Sequence, residues 1–237
     1  MKLRAFAGIV AAGAVALSAP ALAADAGHID AYVTPYYNSS GPIVRIGRYS
    51  AGLAATNRGQ VVATLLAMKK HWSDLTFTEL YVGAICLYDL GYRNEATYWF
   101  YSAQYAGRLF ALLVDQRKLG SVGDRAFELH HAQNAFFELV GPDVNGYAFG
   151  HANTLVAILH RVRSDKRAVP KLQSIYPGIS FSNPSRWAAI NEKLNAALGQ
   201  LALQIEAQSR ELSQARARNG TAARFARVTS KPFPGGL

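Results

Sequence analysis

From Asn57 onward, the hydrophobic positions recur every three or four residues, which is the period of a helix with one buried face. Val61, Leu65 and Met68 keep this spacing and predict a first helix near residues 57–71. Thr76 and Glu79 have the spacing of a capping box, which favours the start of a second helix. This helix carries an apolar stripe of Leu80, Ala84, Leu87 and Leu90, and Gly91 is a suitable left-handed stop.

Three more helices follow from capping residues and glycine-rich breaks. Asn94 is a good N-cap for a third helix that runs to about Leu113 or Arg117. After a loop at residues 120–123, Asp124 caps a fourth helix that ends near Leu139. Residues 141–146 contain two glycines and a proline and predict a second break. There we expect Asp143 and Asn145 to form local turn hydrogen bonds. A fifth helix covers about residues 152–164.

The longest predicted helix begins with Asn183 as N-cap and Pro184 in the first helical position, where its missing N–H has no effect. Its apolar seam lasts for about four heptads. Such a seam packs along the body of the protein or forms a coiled coil with another chain. Because Ala and Gln flank it instead of alternating Glu and Lys, packing along the body is favoured. The seam consists of Trp187, Ile190, Leu194, Leu198, Leu201, Ile205 and Leu212.

Residues 24–56 lack the helical period. Residues 29–37 and 42–49 are rich in Val, Ile and Tyr, and a turn-forming cluster separates them, so we expect a short hairpin. Pro35 and Pro42 would make its members edge strands. The predicted fold is therefore all-α, with helical hairpins at residues 57–212, a short extended N-terminal segment and a long C-terminal helix.

The first 23 residues have the three parts of a cleavable signal peptide. Lys2 and Arg4 form the basic start, residues 5–17 an apolar stretch too short to span a bilayer, and residues 21–23 a small-residue cleavage pattern. We predict cleavage after Ala23 and a periplasmic location. An uncleaved N-terminal anchor is the alternative. No later apolar run is long enough to cross a bilayer, so the mature chain is not expected to be integral to the membrane.

The chain is basic, with a formal charge of +10. Cleavage of the predicted signal peptide would remove the two positive charges of Lys2 and Arg4. Residues 213–237 carry five cationic and no acidic side chains, which predicts a flexible basic tail. Such a tail is either a solvated solubility segment or a tether to anionic lipid or glycan. An exported chain is a poor candidate for nucleic-acid binding.

Residues 84–103 place small side chains at 84, 96 and 103, a glycine at 91 and a phenylalanine at 100, and this spacing resembles a tetratricopeptide repeat. Its small residues would let two antiparallel helices approach closely, Gly91 would turn the chain, and Phe100 would fill the groove. Residues 99–107 are also similar to the end of Sel-type repeats. Arg108 stands where the tetratricopeptide pattern often has Pro, and residues 119–126 are a degenerate second copy. The resemblance implies one hairpin within a larger helical domain. The residues that carry it are Ala84, Leu87, Gly91, Ala96, Phe100 and Ala103.

Residues 81–149 also resemble a group of small exported proteobacterial proteins, through the stretches 87–96, 98–101 and 140–150. Some similar repeat-bearing proteins are immunity partners of secreted antibacterial phospholipases. That resemblance implies recognition of a secreted effector, and it supplies no catalytic residues.

A second face of the third helix carries Tyr98, Tyr101, Tyr105 and Arg108 at spacings of three, four and three. Tyr and Arg are common in binding hot spots, so these residues, with Tyr147, are the candidate partner-binding surface. The alternative is that the tyrosine rings are buried and their hydroxyls form hydrogen bonds at the rim of the core.

No catalytic constellation stands out. Glu128 and His131 share a helical face, but the further ligands of a di-metal bundle are missing from the sequence. His151 and His160 could converge with His131 only in the folded chain. Cys86, the single cysteine, lies in an apolar run and is predicted to be buried and unreactive.

We therefore expect no cofactor, no metal and no catalytic residues. The leading functional hypothesis is a non-catalytic periplasmic protein-binding module, such as an immunity or adaptor protein. The alternative is an envelope-associated protein that binds anionic lipid or glycan through its basic tail. A metal-dependent hydrolase is the third.

Overall fold

The computed structural model describes residues 26–29 and 47–236, and the described chain is all-α. The predicted signal peptide lies outside these residues, as do residues 30–46 of the predicted hairpin. Within the described ranges the chain forms ten α-helices and no strand: α1 Ser50–Leu53, α2 Arg58–Lys70, α3 Phe77–Asp89, α4 Arg93–Leu113, α5 Arg125–Ala148, α6 Ala152–Asp165, α7 Leu172–Ile175, α8 Trp187–Ala207, α9 Ser209–Arg218 and α10 Thr221–Phe225.

Side-chain caps start several of these helices, because the first turn of a helix leaves backbone N–H groups without partners. Thr76 and Glu79 form the predicted capping box of α3: the Thr76 hydroxyl accepts from the Glu79 N–H at 3.2 Å. Asp124 caps α5 as predicted, and the Asn57 side chain caps α2. Asn94, however, does not cap α4, which already begins at Arg93.

The centre of the fold is α4, which packs against α3, α5, α6 and α8. It lies antiparallel to α3, as two contacts between the helices show. The Phe77 and Phe110 rings are 5.6 Å apart at the end far from the connecting turn, and Gly83 packs against Trp99 nearer to that turn. Gly91 turns the chain between the two helices with φ of 89°, a conformation that favours glycine. With neighbours on several sides, α4 buries most of its residues.

The predicted break at residues 141–146 is wrong, because α5 continues through Pro142 to Ala148. A proline normally forces the preceding residue out of the helical region through a clash with its Cβ atom. That residue is Gly141, which has no Cβ atom, so the clash is reduced. Asp143 and Asn145 are therefore helical residues instead of turn residues.

The apolar seam of α8 packs along the body, on α6 and α4. Asn183 caps a short 3₁₀ turn at Pro184–Arg186 that leads into α8. The helix ends at Ala207, and α9 starts two residues later. No helix in the described ranges has the length and hydropathy needed to cross a bilayer.

The prediction of a flexible tail at residues 213–237 is wrong for the described part, which folds back on the body. It includes most of α9 and all of α10, and Phe225 and Phe233 are buried. The Lys231 N–H donates to the Gly91 carbonyl at 2.8 Å, and the Phe233 ring packs edge-on against Tyr92. Basic composition alone indicated a solvated segment, whereas these two aromatic side chains anchor it.

Candidate functional site

The four tyrosines predicted to form a partner-binding surface lie inside the protein. Each side chain is at most 3 % exposed. Each hydroxyl donates to a side-chain oxygen on another helix, across 2.5–2.9 Å. They are Tyr98 to Asp165, Tyr101 to Asn145, Tyr105 to Asn191, and Tyr147 to Asn94. These tyrosines therefore connect helices, and the predicted docking surface is wrong for them.

Arg108, the cation of the same predicted surface, is half-buried close to Tyr81 and Tyr101. Burial lowers the pKa of its guanidinium, and the two tyrosines partly offset this effect. The periodicity of α4 correctly showed that both faces are aromatic or apolar. It could not show that both faces are covered.

The residues assigned to repeat packing are structural. All of them except Gly91 are 0 % exposed, and they lie in the α3–α4 pair. The helices that follow do not repeat this pairing, because α6 packs mainly on α8 and α4, with little contact to α5. Membership of the tetratricopeptide or Sel-type families stays a prediction.

The histidines named as possible ligands do not form a metal site. His131, His151 and His160 are exposed, and the described residues contain no group of three His, Cys, Asp or Glu side chains that could hold an ion. Glu128 accepts a hydrogen bond from the Gly123 N–H at 2.7 Å instead. Cys86 is buried, and burial raises the pKa of its thiol to about 12.

A partly buried ion pair lies beside residues 233–235. Lys69 of α2 and Glu95 of α4 are 2.8 Å apart, and Glu95 also accepts from the Trp99 indole N–H at 3.1 Å. Lys69 donates to the Gly235 carbonyl and lies over the Phe233 ring. Because Glu95 is 3 % exposed, these contacts partly replace the hydrogen bonds with water that its side chain loses on burial.

The feature that the sequence did not reveal is a cleft of about 450 Å³ lined by arginines from two distant parts of the chain. Arg93 comes from the start of α4, and Arg224 and Arg227 come from α10 and the residue stretch after it. The other lining residues are small or of medium size: Ala26, Gly27, Val228 and Thr229. The basic run near the C-terminus signalled a positive surface, but not where it would pack.

Comparisons with known proteins give no match: no family model, no curated protein and no solved structure is similar to this chain.

Proposed function

We propose that the protein is a non-catalytic periplasmic binding protein that attaches to an anionic phospholipid surface through residues 210–231. The supporting observation is that this segment is anchored to the helical body while five of its six cations are exposed. The only acidic side chain in the segment is Glu211. The exposed cations are Arg210, Arg218, Arg224, Arg227 and Lys231.

Two kinds of contact anchor the segment. Phe225 is 5 % exposed and packs so closely on α5 that a Cβ atom at Gly146 would lie 2.3 Å from its ring. Arg216 donates to the Gly146 carbonyl at 2.7 Å. A segment already held in place loses less conformational entropy on binding than a flexible tail would, so more of the electrostatic attraction is retained.

The expected strength follows from the number of charges. A basic residue near an anionic membrane contributes about 1 kcal/mol, and salt weakens this attraction. Removal of two exposed cations should therefore weaken vesicle binding by about 2 kcal/mol, or roughly 30-fold.

Co-sedimentation with phosphatidylglycerol vesicles at low salt tests this proposal, with phosphatidylcholine vesicles as the neutral comparison. We expect the protein to bind phosphatidylglycerol vesicles but not phosphatidylcholine vesicles. The double variant Arg210→Gln/Arg218→Gln should weaken the binding to phosphatidylglycerol vesicles. Arg167→Gln/Lys171→Gln is the matched control, since both residues are exposed and lie outside the segment. Equal losses in the two double variants would show that only net charge matters, and the proposal would be wrong.

Recognition of a protein partner as an immunity or adaptor protein stays a prediction of the sequence. The tyrosines on which its binding surface rested are buried in the helical body. The periplasmic location rests on the signal-peptide pattern of residues 1–23, which lie outside the described residues.

A further inference from the structure

The arginine-lined cleft has the properties of a preformed anion site. Arg93 is held on three sides: its guanidinium donates to the Thr229 carbonyl at 2.8 Å and to the Gly27 carbonyl at 3.2 Å, and it lies over the Tyr88 ring. Its Nε atom is buried and has no hydrogen-bond partner in the described residues. A ligand acceptor therefore has to meet the two terminal nitrogens, each of which carries a second N–H besides the one donated to a carbonyl.

The second arginine, Arg224, is also fixed in place. It donates to the Asp143 carboxylate at 2.8 Å and lies over the ring of its neighbour Phe225. Guanidinium groups that are already positioned lose little side-chain freedom when a ligand binds.

The cleft carries more positive than negative charge. Asp143 pairs with Arg224, but no carboxylate of the described residues lies within ion-pair distance of Arg93 or Arg227. Asp89 is the other acid near Arg93; it accepts from the Ile29 N–H at 2.9 Å and lies 3.0 Å from His28 Nδ1. Among the described residues, no direct ion pair thus neutralises the Arg93 and Arg227 guanidinium charges, and such charges attract an anion.

We propose that Arg93, Arg224 and Arg227 bind the phosphate group of a small phosphate ester in this cleft. Guanidinium groups suit phosphate because their N–H donors match its oxygens in pairs, and a phosphate offers more acceptors and charge than a single carboxylate. The cleft volume falls within the usual range of small-ligand sites and leaves room for a polar alcohol beside the phosphate. The inference rests on the proposed function, since a phospholipid headgroup is one source of such an ester.

Calorimetric titration of the full chain with glycerol 3-phosphate, and separately with inorganic phosphate, tests the cleft. The buffer should be free of phosphate and low in salt. We expect saturable binding of one glycerol 3-phosphate per chain. Arg227→Gln should weaken this binding about tenfold or more, since it removes hydrogen bonds between a charged donor and a charged ligand. Arg227 is exposed, so the variant should keep the urea midpoint of the wild type.

Arg218→Gln is the matched control, because it removes the same charge from the same segment but lies outside the cleft lining. It should change the affinity less than about twofold, as expected for a distant, screened charge. The cleft proposal is overturned if no saturable binding occurs, or if the two variants weaken it equally.

Vesicle binding in the presence of glycerol 3-phosphate then separates the two sources of ester. If the soluble ester releases the protein from phosphatidylglycerol vesicles, the cleft takes the lipid headgroup; if it binds without releasing the protein, the cleft takes a free ester. Saturable ester binding without vesicle binding would refute the proposed function and support the cleft. Vesicle binding without ester binding would refute the cleft proposal and support the proposed function.

Discussion

Replacement of Gly83 by alanine tests the close approach of α3 and α4. A Cβ atom at this position would lie 2.3 Å from Cζ3 and 2.5 Å from Cε3 of Trp99, far inside normal carbon contacts. Trp99 cannot easily yield, because it is 0 % exposed, its ring packs edge-on against Trp72, and its indole N–H donates to Glu95. The added methyl group therefore has to displace a helix or distort a rotamer.

Two opposing effects set the magnitude. Alanine favours the helix over glycine by up to about 1 kcal/mol, whereas overpacking of a core costs about 1–3 kcal/mol and sometimes more. Because the overlap at Gly83 is severe, we expect a net loss of about 1–2 kcal/mol in the free energy of unfolding. Urea denaturation followed by circular dichroism measures it as a lower midpoint with an unchanged slope.

The matched control is the same replacement in a Trp99→Leu background. Leucine lacks the ring atoms that the new methyl group would meet, so Gly83→Ala should there be neutral or stabilising by up to about 1 kcal/mol. If Gly83→Ala stabilises the otherwise unchanged protein, the two helices do not approach at this residue and the reasoning is refuted.

Three other predictions concern single side chains. Thr76→Ala removes the capping box of α3 and should lower the free energy of unfolding by about 1 kcal/mol in the same urea assay; no change would mean that the cap is dispensable. Tyr105→Phe removes the hydroxyl that donates to the carbonyl and side-chain oxygens of Asn191, and should lower the free energy of unfolding by about 1–2 kcal/mol. A urea midpoint equal to that of the wild type would contradict this role of the hydroxyl. Burial raises the pKa of the Cys86 thiol to about 12 and so keeps it protonated at pH 8. A chromogenic disulfide reagent at that pH should label one thiol per chain in denaturant and almost none in the native protein. Rapid labelling of the native protein would contradict the burial of Cys86.

Local signals in the sequence were sufficient where the structure is decided locally. The capping box at Thr76, the cap at Asp124 and the left-handed turn at Gly91 were all predicted and are all present. The prediction at Asn94 failed because Asn is also found inside a first turn. There its side chain accepts from the Tyr147 hydroxyl, a contact that no local pattern shows.

The candidate site was the least predictable part of the molecule. A helix with two aromatic faces either lines a groove or lies between neighbours, and the sequence of α4 is compatible with both. The arginine cleft joins residues more than 130 positions apart, through contacts such as that between Arg93 and the Thr229 carbonyl. Such long-range packing depends on how helices are placed together, which residue spacing does not report.

The sequence by itself determined the helical class, most helix starts and the burial of Cys86, because caps, periodicity and glycine turns act over a few residues. Tertiary structure alone decided that Tyr98, Tyr101 and Tyr105 connect helices instead of facing a partner. It also decided that the basic segment lies on the body, because Phe225 and Phe233 find apolar surfaces on helices far earlier in the chain. Burial is a property of the assembled helices, and the same aromatic residue is a surface anchor or a core residue according to what packs against it.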